Sequence, residues 1–323
     1  MRWEQLKARL LAQGSARVTG EPVNGYLSCS TAGPGAGGGG SVFFSREGRR
    51  ARLSVDPGSP LELRHLGGGR AILVLDGRDI AGRLEEPALH CPRQAYITVS
   101  SGCIFSCRYC EVPRQPQRRK PAGEIEALVE AVRDRVDCIS LTSGVMGSVE
   151  EEEDYVVSVV ERLSRFGLPI AVSIYPTART PERLHALGVA EVKFNVEAAT
   201  GPLFAAMCPG LSWVAIWEAL ARAVPLFGRG HVFSNLIIGL GETDREVEDC
   251  VRRLAGMGVV AVIRPLNPAG ELKSFTRPTA ERLLHLHAIH RQVLQEAGLD
   301  PREGISMCIA CTGCDLVPGR DED

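Results

Sequence analysis

Two short stretches of this chain concentrate thiols. SGCIFSCRYC, residues 101 to 110, sets Cys103, Cys107 and Cys110 in the pattern C-x3-C-x2-C, and MCIACTGCD, residues 307 to 315, sets Cys308, Cys311 and Cys314 at C-x2-C-x2-C. A disulfide framework spreads its cysteines along a small secreted chain, whereas thiols gathered within single loops suit thiolates meeting on one metal centre. The chain has 11 cysteines, an odd number, and six of them fall in these two groups, so reduced ligands are the better reading. Three thiolates leave a tetrahedral zinc one ligand short, and the nearest candidates for a fourth, His90 and Cys91, come before the first group rather than after it. Three thiolates do suffice for three irons of a [4Fe–4S] cube whose fourth iron keeps a position for an exchangeable ligand.

The elements that must position these thiols are legible in the hydrophobic pattern. From residue 95 onward, short β-branched runs alternate with helical patterns. The runs are AYITVS (95 to 100), CISLTS (138 to 143), PIAVSIY (169 to 175), EVKFNVE (191 to 197), HVFSNLIIGL (231 to 240) and VVAVIRPL (259 to 266). Between them GEIEALVEAVRDR, EEDYVVSVVERLSRF, SWVAIWEALARAV and DREVEDCVRRLAGM repeat apolar residues at three and four. Strands apolar throughout and separated by helices predict a parallel sheet covered on both faces. The expected fold is therefore α/β, a partial (β/α)6 TIM-type barrel, although an open doubly wound sheet shares the pattern. On a parallel barrel, chemistry sits at the C-terminal ends of the strands, and Cys103 to Cys110 follows the first one.

Residues 1–92 read as a small β-rich N-terminal appendage, with SVFFS, ARLSV, LELRHL and AILVLDG as strand candidates. Within it, STAGPGAGGGGS lacks the Lys-Ser or Lys-Thr pair of a phosphate cradle and reads as a flexible loop or lid. Residues 93–275 make the barrel, and 276–323 a long helix followed by the cluster-binding tail. A net charge of −2 gives no bias toward nucleic acid. No run approaches the ~18 apolar residues of a membrane helix, and MRWEQLKARLLAQ has the charged amphipathic pattern that a signal peptide lacks. A cytoplasmic protein is expected.

The first cysteine group, with Tyr109 before its last cysteine in the loop after the first strand, resembles the signature of the radical S-adenosylmethionine superfamily. That resemblance implies a [4Fe–4S] cluster on Cys103, Cys107 and Cys110 whose open iron binds S-adenosylmethionine. An electron from the cluster then releases a 5'-deoxyadenosyl radical. Thr142, Ser143 and Gly144 stand where the family places a Gly-Gly-Glu-like segment that meets the methionyl amine. Asn195 and Glu197 are similar to the polar pairs that contact ribose in biotin-synthase-like enzymes. NLIIGLGE is similar to the G-x-I-x-G-x-x-E adenine segment, with Asn235 in place of its first Gly and Ile237, Gly239 and Glu242 in register; T-x-x-E at 243 to 246 is also a helix capping box. Arg264 would meet a carboxylate of S-adenosylmethionine or of substrate, or else form a rim salt bridge.

The likeness spans residues 95–268 and is strongest to the biotin synthase and lipoyl synthase branch, including subunits of split archaeal-type lipoyl synthases. It implies sulfur insertion with an auxiliary [4Fe–4S] cluster on Cys308, Cys311 and Cys314. The cysteine motif of single-chain bacterial lipoyl synthases, which lies upstream of the radical motif, is absent. Cys29 or Cys91 would complete the second centre, while Cys138, Cys208 and Cys250 read as small buried hydrophobes. Implied partners are a reductant such as ferredoxin or flavodoxin, an acyl-carrier or lipoyl-domain substrate protein, and a second subunit, with no nucleic acid and no membrane. Radical C-methylation or rearrangement, with the tail cluster passing electrons, is the alternative reading. An iron–sulfur electron carrier is the non-enzyme reading, and the adenosine-type motifs weigh against it. RQPQRRKP (114 to 121) reads as a solvated basic loop before a docking site, EEEED (150 to 154) as the acidic start of a helix, and His285, His287 and His290 as non-catalytic.

Overall fold

The computed structural model describes residues 1–322. Helix α1 (Trp3–Gln13) leads into six short strands, β1 (Ser15–Gly20), β2 (Ser41–Arg46), β3 (Arg49–Val55), β4 (Glu62–His65), β5 (Arg70–Leu75) and β6 (Arg78–Glu85). They close into a barrel in the order β1-β3-β2-β6-β5-β4, the two neighbours of β1 pairing with it in parallel and the rest antiparallel. Its core is Val42, Phe44, Leu53, Leu63 and Leu73, capped by Trp3, Leu6 and Leu10 of α1. Alternation turns Phe43 outward, where it is equally buried, against Cys91 and Cys311.

The second unit follows the predicted alternation. It runs β7 (Gln94–Thr98), α2 (Ala122–Val132), β8 (Cys138–Thr142), α3 (Val149–Leu163), β9 (Ile170–Ser173), α4 (Thr180–Ala186), β10 (Glu191–Lys193), α5 (Gly201–Met207), α6 (Trp213–Phe227), β11 (Val232–Ile238), α7 (Asp244–Met257) and β12 (Val260–Pro265). All six strands are parallel and lie in sequence order, so the open doubly wound alternative, which reverses strand order, is excluded. Helix α8 (Ala280–Ala297) then packs on α7 and α1, and the chain ends around the short helix α9 (Met307–Cys311).

The tail shows that the sheet is curved. Gln94 of β7 donates to the Met307 carbonyl (2.9 Å), Glu191 of β10 accepts from the Ile305 N–H (2.9 Å) and the Ser306 hydroxyl, and Arg264 of β12 reaches Cys308 (2.9 Å). Laid flat, β7 and β12 would stand about 24 Å apart. Gln94 and Glu191 begin their strands, so the tail closes the N-terminal mouth of the partial barrel. Among the described residues, no helix is long and apolar enough to cross a membrane.

Candidate active site

At the C-terminal mouth, the loop after β7 is held in place by backbone hydrogen bonds to its surroundings. Ile104 donates to the Val145 carbonyl (2.7 Å), Arg108 to that of Met207 (2.9 Å), and Ser101 to that of Arg118 (2.9 Å). Gly102 passes so near Gly144 that a Cβ on Gly144 would lie 2.1 Å from the Gly102 carbonyl oxygen, which explains a glycine there on packing grounds alone. The N–H groups of Val145 and Phe105 point at the Cys103 sulfur and that of Val112 at Cys110. Burial nevertheless pushes Cys110 up to about 12 and raises Cys103, so without a metal both are thiols. Cys107 is also held protonated, first by its hydrogen bond with Cys208 and then by burial. Cys208 therefore stands directly behind the loop, touching Cys107 and the Tyr109 hydroxyl (3.6 Å).

A cavity of about 670 Å³ runs from these three cysteines down the lumen, and Cys308, Cys311 and Cys314 line its other end. One strand connects the two ends. The lumen face of β10 and the turn after it carries Glu191, Lys193, Asn195 and Glu197 in period two. Glu191 holds the tail backbone as described above. The fully buried Lys193 ammonium donates to the Cys308 sulfur (3.4 Å). Asn195 Oδ1 accepts from the Asn235 N–H (3.2 Å), and Glu197 hydrogen-bonds to Tyr109 beside the first cysteine group. Glu197 has φ 56°, a left-handed conformation that costs a non-glycine residue ~1 kcal/mol or more, and burial raises its carboxyl against the pull of Lys193. For Lys193 itself, burial opposes the charge, but the Cys308 and Tyr96 groups outweigh it and its pKa is raised. Lys193 and Glu191 were equally legible in EVKFNVE by the alternation that singled out Asn195 and Glu197.

Among the other predicted contacts, Tyr109, Thr142, Ser143, Gly144, Asn235, Ile237 and Arg264 also line the cavity. The Ser143 hydroxyl is already committed to the Ser100 N–H and to the buried Glu152, which leaves its backbone facing inward. Gly239 and Glu242 do not line the cavity. Glu242 is buried in the turn after β11, where its carboxylate accepts from the Gly239 and Leu240 N–H groups (2.8 and 2.9 Å) and pairs with Arg282 (2.9 Å). Gly239 has φ 108° in that turn. Both residues shape the turn after β11. Arg264 forks onto the buried Asp315 (2.9 and 3.2 Å) and the Cys308 sulfur, so its partners are the tail rather than the barrel rim.

The donor sets fit iron–sulfur chemistry. Each group offers three thiols, the soft ligands that iron–sulfur clusters take. Asn235 adds a second fit. Its Oδ1 is buried in the cavity wall with no partner, an acceptor suited to a hydroxyl or amino group of a nucleoside. The glycine-rich loop closes the flank, its ends joined by paired Ser28 and Ser41 hydrogen bonds and its Gly33 carbonyl accepting from Glu111 N–H. The basic loop is spent internally: Arg114 on the Cys110 carbonyl, Arg118 on Glu124, Arg119 on Glu152 and Lys120 on the Thr98 carbonyl.

Residues 97–254 match the family model described as the radical SAM superfamily, and the chain carries a radical SAM superfamily domain. Members of that family are enzymes that use a [4Fe–4S] cluster and S-adenosylmethionine. A curated relative, the tRNA-2-methylthio-N(6)-dimethylallyladenosine synthase of Rhodopirellula baltica, is 28% identical, the match covering 57% of this chain and 42% of the relative. The chain thus spans less than half the length of that relative. Solved structures with the same fold include the FeFe-hydrogenase maturase HydG from Carboxydothermus hydrogenoformans (19% identical, TM-score 0.53, 62% of this chain and 51% of that one). Methylornithine synthase PylB is 17% identical at TM-score 0.53, covering 65% and 70%. Streptococcus suis SuiB bound to its precursor peptide is 13% identical at TM-score 0.54, covering 66% and 48%.

Proposed function

We propose that this chain is a cytoplasmic radical enzyme that inserts sulfur at an unactivated C–H bond, with Cys308, Cys311 and Cys314 holding a second [4Fe–4S] cluster as the sulfur source. The observation that carries this reading is the single lumen with a cysteine group at each mouth, Cys308 being presented to it by Lys193 and Arg264. When bound on Cys103, Cys107 and Cys110, a cluster with one open iron supplies reductive cleavage of S-adenosylmethionine and hence a 5'-deoxyadenosyl radical. The residues of this chain orient and enclose. The unpartnered Asn235 oxygen and the Asn195 and Glu197 side chains offer acceptors for the nucleoside.

A cluster held by Cys308, Cys311 and Cys314 would supply sulfur at the sulfide level and would take up the odd electron left when a C–S bond replaces the C–H bond, whose hydrogen leaves on 5'-deoxyadenosine. The electron that starts the cycle comes from a reductant of the ferredoxin or flavodoxin class. The curated relative's name, which denotes synthesis of a 2-methylthio nucleoside, supports sulfur chemistry. The likeness to lipoyl synthases makes an octanoylated carrier or lipoyl domain the first substrate to try, with a second subunit present where the chain is half of a split enzyme.

The test is anaerobic reconstitution, dithionite reduction, and mass spectrometry of octanoylated carrier protein after turnover. The expected results are about eight irons per chain, 5'-deoxyadenosine, and a substrate mass gain of sulfur. The variant Cys308→Ala, Cys311→Ala, Cys314→Ala should still form the nucleoside but yield no thiolated product. Absence of the nucleoside removes the radical reading of this chain, and a methyl mass gain replaces sulfur insertion by C-methylation.

A further inference from the structure

Sulfur insertion and electron transfer both depend on what completes the second cysteine group, because three thiolates leave an iron open whereas four close the cube. Cys29 lines the same cavity but is exposed beside the glycine-rich loop, its sulfur near Gly40 and its backbone bonded to the His90 ring. Cys91 is different. It is 2% exposed, packs in one cluster with Cys311, Phe43 and Tyr96, and is a direct hydrogen-bonding partner of Cys311. Its thiol also lies within electrostatic reach of Cys308. The backbone fixes this meeting independently. Cys91 bridges to Gln94, and the Gln94 amide holds the Met307 carbonyl at 2.9 Å, one residue before Cys308.

From this juxtaposition we infer that Cys91 is the fourth thiolate of the tail centre, which it converts into a coordinatively closed Cys91–Cys308–Cys311–Cys314 cluster. The inference rests on the reading that the tail holds a cluster at all. Ligation replaces each S–H by an Fe–S bond and releases the proton. The Cys91 thiol and the Gly313 N–H both point at the Cys311 sulfur, with the Arg50 and Arg52 guanidinium groups nearby. A closed cluster has no free iron on which to anchor a substrate, so it acts through a bridging sulfide or by passing electrons. The cations Lys193 and Arg264 mark the Cys308 edge as the one that faces the lumen.

The test uses the full chain with Cys103→Ala, Cys107→Ala and Cys110→Ala, which isolates the tail. Its reconstituted form should keep about four irons and give a reduced-state EPR signal that added cyanide does not move. Adding Cys91→Ala should either lower the count to about three irons or make the signal respond to cyanide, and the near-isosteric Cys91→Ser should shift the signal without loss of folding. Cys29→Ala and Cys138→Ala in the same background should change nothing. An unchanged, cyanide-insensitive signal in both Cys91 variants overturns the inference while leaving the tail cluster standing, and so does a cyanide response gained on Cys29→Ala or Cys138→Ala. No iron in the background variant itself removes the tail cluster, and the inference with it.

Discussion

At the scale of single residues, the lumen face of one strand sets the order of events down the barrel. Lys193, which is buried, and Arg264, whose side chain is 26% exposed, bring two cations to one sulfur, so a cluster on Cys308 would gain positive potential that water screens only in part. Lys193→Met removes one of them and should make the tail centre harder to reduce, by on the order of 100 mV at an effective dielectric near 20; an EPR-monitored redox titration of the isolated tail centre reads the shift, and an unmoved potential counts against the contact. Gly144 makes the opposite kind of prediction. Gly144→Ala forces a Cβ to 2.1 Å from the Gly102 carbonyl, so the cluster loop must move by more than a side-chain adjustment, at a cost of roughly 1–3 kcal/mol. Iron bound by Cys103, Cys107 and Cys110 should fall sharply while tail iron persists. Placement at the cavity was legible where a motif and a period coincided, as at Asn195. It was not legible for Glu242, because the same turn that places a motif residue in register can also consume its carboxylate on backbone N–H groups.

At the scale of elements, the small barrel explains itself through the tail. The Arg52 N–H donates to the Gly313 carbonyl (2.7 Å), and the Arg50 guanidinium to that of Cys311 (3.3 Å), so β3 is the wall on which the second cysteine loop is moulded. From the other side, Lys7 of α1 reaches the Thr312 carbonyl and both oxygens of Asp321 (2.7 Å), with all of these groups buried. Thr312 (φ 56°) and Met307 (φ 50°) are left-handed residues bracketing the cysteine turn, a conformation that needs such outside support. Lys7→Met leaves the buried Asp321 carboxylate without a counter-charge, with the Trp3 indole N–H (3.1 Å) and the Val317 N–H (2.8 Å) still donating to it, typically a loss of about 3–5 kcal/mol. Iron should drop from about eight to about four per chain, and restoring neutrality with Asp321→Asn should recover part of both losses. If Lys7→Met keeps all its iron, the clamp is not what shapes the loop. The sequence showed the strands β2 to β5 by their apolar runs, but not β1 and β6, which are half exposed and read as polar, nor closure of the barrel. Contacts such as Lys7 with Thr312 join residues some 300 positions apart and leave no local pattern.

At the scale of the whole molecule, α8 joins the two barrels and the tail. Leu283 packs with Ala8 and Leu11 of α1 and with Leu316, while the same helix carries His287 and His290 inward. Both ring nitrogens of His290 are buried without a partner, and burial, with the nearby His287, lowers its pKa to about 3. His287 is lowered as well, chiefly by burial, although Glu322 at 3.2 Å and Asp321 pull it back. The folded-state value of His290 lies below the ordinary 6.5, so between pH 6.5 and 3 the unfolded chain holds the extra proton. The neutral ring's contribution to stability is therefore complete above pH 6.5 and is progressively lost as the pH falls toward 3, amounting to about 2 kcal/mol by pH 5. Because this helix ties α1 and the tail to the barrel, its loosening should release both together. In the metal-free protein, where acid attack on clusters plays no part, urea unfolding should show wild type losing about 2 kcal/mol more than His290→Leu between pH 7 and pH 5. Parallel slopes for the two proteins would mean that this imidazole takes up its proton without leaving the core, and the acid sensitivity of the assembly would then have to lie in the carboxylates around Lys7 and Arg264.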